Sequence, residues 1–109
     1  VDGDPAGLRE LVELYLKQTT QQMEQLATAV HAQNADDIRR VAHSCAGASA
    51  TLGMTRLVPL LRELEKQGAS GTLTHVAQLC ENVTREFQLI QNFLAALPAP
   101  AAMPAVSHP

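Results

Sequence analysis

The chain has 109 residues, enough for one domain. Hydrophobic residues make up 46% of it but aromatics only 3%, so the core must be built from Leu, Val, Ala and Met, a palette that suits packed helices better than a sheet. With 8 Lys and Arg against 11 Asp and Glu, a net charge of -3 and no basic stripe with interleaved aromatics, the chain does not look like a nucleic-acid binder; no run approaches the roughly 18 apolar residues of a membrane span, and none resembles a signal peptide.

Four amphipathic helices are predicted. The first spans about Asp4 to Gln33, with Asp4 as N-cap and Pro5 in the first turn. Leu8, Leu11, Val12, Tyr15, Met23, Leu26 and Val30 form its apolar stripe, and the polar stretch Gln18 to Gln22 marks a place where it could bend or split. The second spans about Asp36 to Leu52, capped by Asn34, with Asp37 near the positive end of its dipole. Ile38, Val41, Ala42, Cys45, Ser49 and Leu52 are its buried stripe, and Gly53 ends it. The third spans about Thr55 to Gln67 on Leu57, Leu60, Leu61 and Leu64, with Pro59 near the first turn and Gly68 as its stop. A loop, Gly68 to Gly71, precedes the fourth, about Leu73 to Leu97, on Val76, Leu79, Cys80, Val83, Phe87, Ile90, Leu94 and Leu97. Pro98 to Pro109, rich in Ala and Pro, reads as a flexible tail after a bundle of residues 1–97.

Short connections favour antiparallel neighbours, so the all-α reading is an antiparallel up-down four-helix bundle, with a different helix order or a dimer-completed bundle as alternatives. Cys45 and Cys80 fall on apolar stripes and read as small buried hydrophobes; free thiols, as in a reducing compartment, are the expectation, with a disulfide as an alternative that the spacing does not call for. The chain opens on Val1 rather than Met, as a piece cut from a longer protein would.

Helix two carries the chemistry. On a wheel of about 100° per residue, His43 lies about 140° from the buried stripe and faces solvent. Its neighbours one turn away are Arg39 and Arg40 on one side, Ala46 and Gly47 on the other, with Ala50 beyond. A glycine in mid-helix costs about 1 kcal/mol against Ala, which suggests that another body approaches closely there. Two guanidinium groups suit an anion, and an imidazole nitrogen is a competent nucleophile. The chain has no Gly-rich phosphate loop and no Asp/Asn metal set for cleaving ATP, so a phosphoryl donor would have to be another protein. His31, His75 and His108 read as solvated, and no metal site is expected.

The stretch Ala42 to Met54 resembles the histidine phosphotransfer (HPt) motif, H-x-x-K-G followed by small residues and a second glycine. His43 matches the phosphoacceptor, Gly47 the glycine after it, Ala48 to Gly53 the small-residue run, and Leu61 to Glu65 the helix that comes next. The resemblance covers roughly Leu8 to Leu97. It implies a four-helix bundle that is a phosphoryl carrier rather than an enzyme. His43 would accept a phosphoryl group from a receiver-domain aspartate and pass it to another receiver, with Mg²⁺ supplied by the receiver and no cofactor in this domain. It also implies a cytoplasmic, monomeric domain without direct membrane contact, standing alone or ending a hybrid sensor kinase. Arg39 and Arg40 would neutralise the phosphoryl group. Ala46, Gly47 and Ala50 would form the receiver-docking surface, and Glu65 or Gln67 would orient the imidazole. The family's Lys three residues after the histidine is here Ala46, which keeps open a degenerate module that docks receivers without carrying phosphate. A histidine kinase dimerisation domain is a weaker rival, since Ser44 rather than an acidic residue follows His43 and no proline comes before Pro59.

Overall fold

The computed structural model describes residues 5–96. The expected Asp4 cap, Leu97 and the Pro98 to Pro109 tail lie outside the described residues. Within them the chain forms four helices and no strand: α1 (Pro5–His31), α2 (Ala35–Thr51), α3 (Leu57–Ser70) and α4 (Val76–Ala96). Each helix packs on its neighbours in sequence, and α1 also packs on α4, which closes the up-down bundle. The α2–α3 contact is the most extensive.

The helix ends follow from local chemistry. The Asn34 side chain accepts from the Asp37 N–H at 3.1 Å, and Asp36 and Asp37 occupy the first turn of α2, where negative charge offsets the exposed N–H dipoles. Pro59 sits in the first turn of α3, where its missing N–H has no helical acceptor to lose. That helix does not stop at Gly68. It runs to Ser70 and is capped by Gly71 at φ 75°, with Gly71 N–H donating to Gly68 C=O and Thr72 N–H to Gln67 C=O. A residue with a Cβ is strained in that left-handed geometry.

Gly68 has a different use. A Cβ there would lie 2.8 Å from Ala35 O, 2.8 Å from Arg39 N and 3.1 Å from Arg39 Cα. The absent side chain lets α3 rest on the backbone of α2.

The first helix is continuous through Gln18 to Gln22, contrary to the expected weak point. Two residues of that stretch are tied into the bundle. Thr19 is buried, and Gln22 donates through Nε2 to Ser44 Oγ on α2 at 3.0 Å. The apolar stripe of α1 begins later than its spacing suggests: Leu8 and Leu11 are exposed, and burial starts at Tyr15.

Leu26, Ile38, Leu57, Leu61, Leu64 and Val83 are the large apolar side chains fully withdrawn from solvent. At about 25 cal/mol per Å² of apolar surface, each contributes roughly 1.5–3 kcal/mol. Tyr15 meets Phe87 edge-on with ring centroids 6.4 Å apart, and its hydroxyl bonds Ser49 Oγ at 2.8 Å. That bond satisfies the one serine buried in α2. Cys45 and Cys80 are free and buried, and burial pushes the Cys45 thiol up to about 11.

Candidate functional site

His43 stands on the outer face of α2, with 64% of its side chain exposed. Its Nδ1 lies 2.7 Å from Oε2 of Glu65, which projects from α3. The other carboxylate oxygen of Glu65 accepts from Arg62 Nη1 at 2.9 Å. Arg62 beside it, and then the His43 contact, hold the Glu65 carboxyl below the usual carboxylate value. An ionised carboxylate can only accept, so Nδ1 carries the hydrogen of this bond. In the neutral ring the lone pair then resides on Nε2.

Of the two residues expected to orient the imidazole, Glu65 reaches it and Gln67 does not. Gln67 Nε2 donates to Glu63 at 3.0 Å on its own helix, and its Oε1 is buried without a partner. The two residues are separated by about 200° on the helix wheel, so only one can face α2 at the level of His43.

Ala46 is a correction to the expected docking surface, because it is 0% exposed. Ala35, Arg39, Ala42 and Ala46 are spaced by four, three and four residues and so share one line along α2. Gly68 rests on that line at Ala35 and Arg39. A second packing partner therefore widens the buried arc of α2 to include Ala46. Gly47 and Ala50 remain exposed, and a Cβ built at Gly47 would meet nothing within 4 Å. The smooth surface beside His43 thus consists of Gly47 and Ala50 without Ala46.

Arg39 and Arg40 are exposed but turned back along α2. Arg39 pairs with Asp36 at 3.0 Å and Arg40 with Asp37 at 3.2 Å. Such surface pairs are worth about 0–1 kcal/mol and release easily. Arg62 was not among the expected site residues, although its spacing of three from Glu65 was a usable signal. Neither were Ser44 and Gln22, which bond to each other one residue from His43. His31 and His75 are exposed near helix ends, and no group of metal-ligating side chains occurs among the described residues. No helix among them is long and apolar enough to cross a membrane.

The arrangement can do one thing well. It offers a solvent-facing imidazole nitrogen with its tautomer fixed from behind, on a helical face clear enough for a large partner to approach.

Comparison with known proteins agrees with this geometry. The family model of the Hpt domain matches residues 10–99. Among solved structures, the chain is similar to the histidine-containing phosphotransfer protein B (HptB) from Pseudomonas aeruginosa PAO1. The two share 27% sequence identity at a TM-score of 0.75, over 82% of this chain and 84% of that one. A search of the curated proteins finds no match.

Proposed function

The chain belongs to the Hpt domain family, and from that premise we propose that it is a phosphorelay intermediate that takes a phosphoryl group onto His43 from a receiver-domain aspartate and yields it to another receiver. The observation that carries this reading is the exposed His43 ring held at Nδ1 by Glu65, 2.7 Å away.

In the proposed step, Nε2 attacks the phosphorus of the aspartyl phosphate in line. The N–P bond forms as the bond from phosphorus to the aspartyl oxygen breaks, and the aspartate leaves as a carboxylate. Nδ1 keeps its hydrogen, and the positive charge that builds on the ring lies against the Glu65 carboxylate, in the way a buried carboxylate supports an imidazolium elsewhere. The reverse sequence delivers the group to the next receiver. Phosphoryl transfer asks a protein mainly for positioning and charge neutralisation. Glu65 supports the first. The receiver's Mg²⁺ supplies much of the second, with Arg39 and Arg40 free to leave Asp36 and Asp37 for the phosphoryl oxygens. Gly47 and Ala50 give the receiver's rim room to close on His43.

A second reading, a module that docks receivers without carrying phosphate, is favoured by Ala46, which stands where the family has its lysine. The deciding experiment is incubation with a phosphorylated receiver and Mg²⁺. Acid-labile, base-stable label on wild type and none on His43→Gln is the expected result. A measurable complex with no label on wild type would establish the docking module instead.

A further inference from the structure

The position of the family's lysine carries no charge here, and Ala46 is wholly covered. Arg39 and Arg40 are drawn one turn back to Asp36 and Asp37. From α1 the neutral Gln22 reaches this face, bonded to Ser44. The cation coupled to His43 lies on α3. Arg62 binds one oxygen of Glu65 at 2.9 Å while the other oxygen holds His43 Nδ1 at 2.7 Å. Imidazole, carboxylate and guanidinium thus form a single chain across two helices.

An Arg–Glu pair three residues apart on a helix is ordinarily worth little. This one differs in its surroundings. The Glu65 side chain is only 25% exposed and both its oxygens are engaged, one of them across the helix interface. Pinning one oxygen fixes the carboxylate's rotation, so the other faces His43. A carboxylate aimed in this way holds the Nδ1 hydrogen in place and leaves the Nε2 lone pair facing outward for attack.

We propose that Arg62 is a positioning residue for phosphoryl transfer at His43, acting through Glu65 to aim the carboxylate and to keep the imidazole available as a nucleophile. This rests on the carrier reading of His43 given above.

The test has two arms on the same domain. In the first, the tautomer of the neutral His43 ring is read from its imidazole ¹⁵N chemical shifts at alkaline pH in the unphosphorylated wild type, Arg62→Gln, Arg62→Lys and Glu65→Gln proteins. Wild type should hold the Nδ1–H form, Glu65→Gln should lose that preference, Arg62→Gln should lose part of it, and Arg62→Lys should bring it back. In the second arm, the rate of phosphoryl acceptance from a receiver should fall about twofold in Arg62→Gln and recover in Arg62→Lys, through the less well aimed carboxylate. Arg62 is 46% exposed, so its replacement leaves the bundle folded. An unchanged tautomer preference and rate in Arg62→Gln would reduce Arg62 to an ordinary surface ion pair. Failure of wild type to take label would overturn the carrier reading, while the ¹⁵N spectra would still decide whether Arg62 acts on His43.

Discussion

Replacing Gly68 by Ala sets two magnitudes against each other. In a helix interior, Ala is favoured over Gly by about 1 kcal/mol. The new methyl, however, would lie 2.8 Å from Ala35 O and Arg39 N. Ordinary contacts of carbon begin near 3.5 Å, so the helices must part by about 0.7 Å. The obstructing atoms are backbone within a helix and cannot swing aside as a side chain would. Overpacking of this kind costs about 1–3 kcal/mol, and the upper part of that range applies here. The net loss is therefore about 1–2 kcal/mol, or a fall in Tm of roughly 5–15 °C for a domain of this size. The same displacement reaches the site, because Gly68 is one turn beyond Glu65 and Arg39 one turn before His43. The 2.7 Å contact should lengthen and the His43 ring should lose its preference for the Nδ1–H tautomer, as in Glu65→Gln. Thermal unfolding followed by circular dichroism checks the first effect and NMR the second. Gly47→Ala is the control: its Cβ meets nothing, so the propensity gain of up to about 1 kcal/mol should appear unopposed. If Gly68→Ala is as stable as Gly47→Ala, the close approach of α3 to α2 is not what Gly68 provides.

Three further outcomes are expected. Ala46→Lys restores the family residue at a covered position, where the stem must thread out past α3, so urea denaturation should show a loss of about 1–3 kcal/mol; an unchanged midpoint would mean that the position opens freely. Tyr15→Phe strands the buried Ser49 hydroxyl and should cost about 1–2 kcal/mol in the same assay; no loss would show that the bond does not hold α1 to α2. Glu65 has a folded pKa lowered from 4.5, first by Arg62 and then by His43. Its contribution to stability is therefore present above 4.5 and lost as pH falls through the lowered value. The stability gap between wild type and Glu65→Gln, measured at pH 7 and again well below 4.5, should close on acidification; a constant gap would separate Glu65 ionisation from folding.

Features that depend on near neighbours along the chain were legible before any folding was known. Leu57, Leu61 and Leu64 recur at helical spacing and are buried. Asn34 caps α2 as its side chain requires, and His43 lies off the apolar stripe and is exposed. The burial of Cys45 and Cys80 followed from the same periodicity. Tertiary structure decided whatever needed two helices at a known distance and rotation. Gly68 looked like a local stop signal, yet its use is the backbone of α2 lying against it. Ala46 looked exposed because a wheel assumes one packing direction, and α2 has two. Glu65 was chosen over Gln67 by the rotation of α3 about its axis, and Arg62 entered the site only through the carboxylate that rotation placed beside His43. The physical reason is common to all of these. Periodicity along one helix fixes which residues share a face, but the distance and azimuth between two helices are set by the small and large side chains of both at their contact.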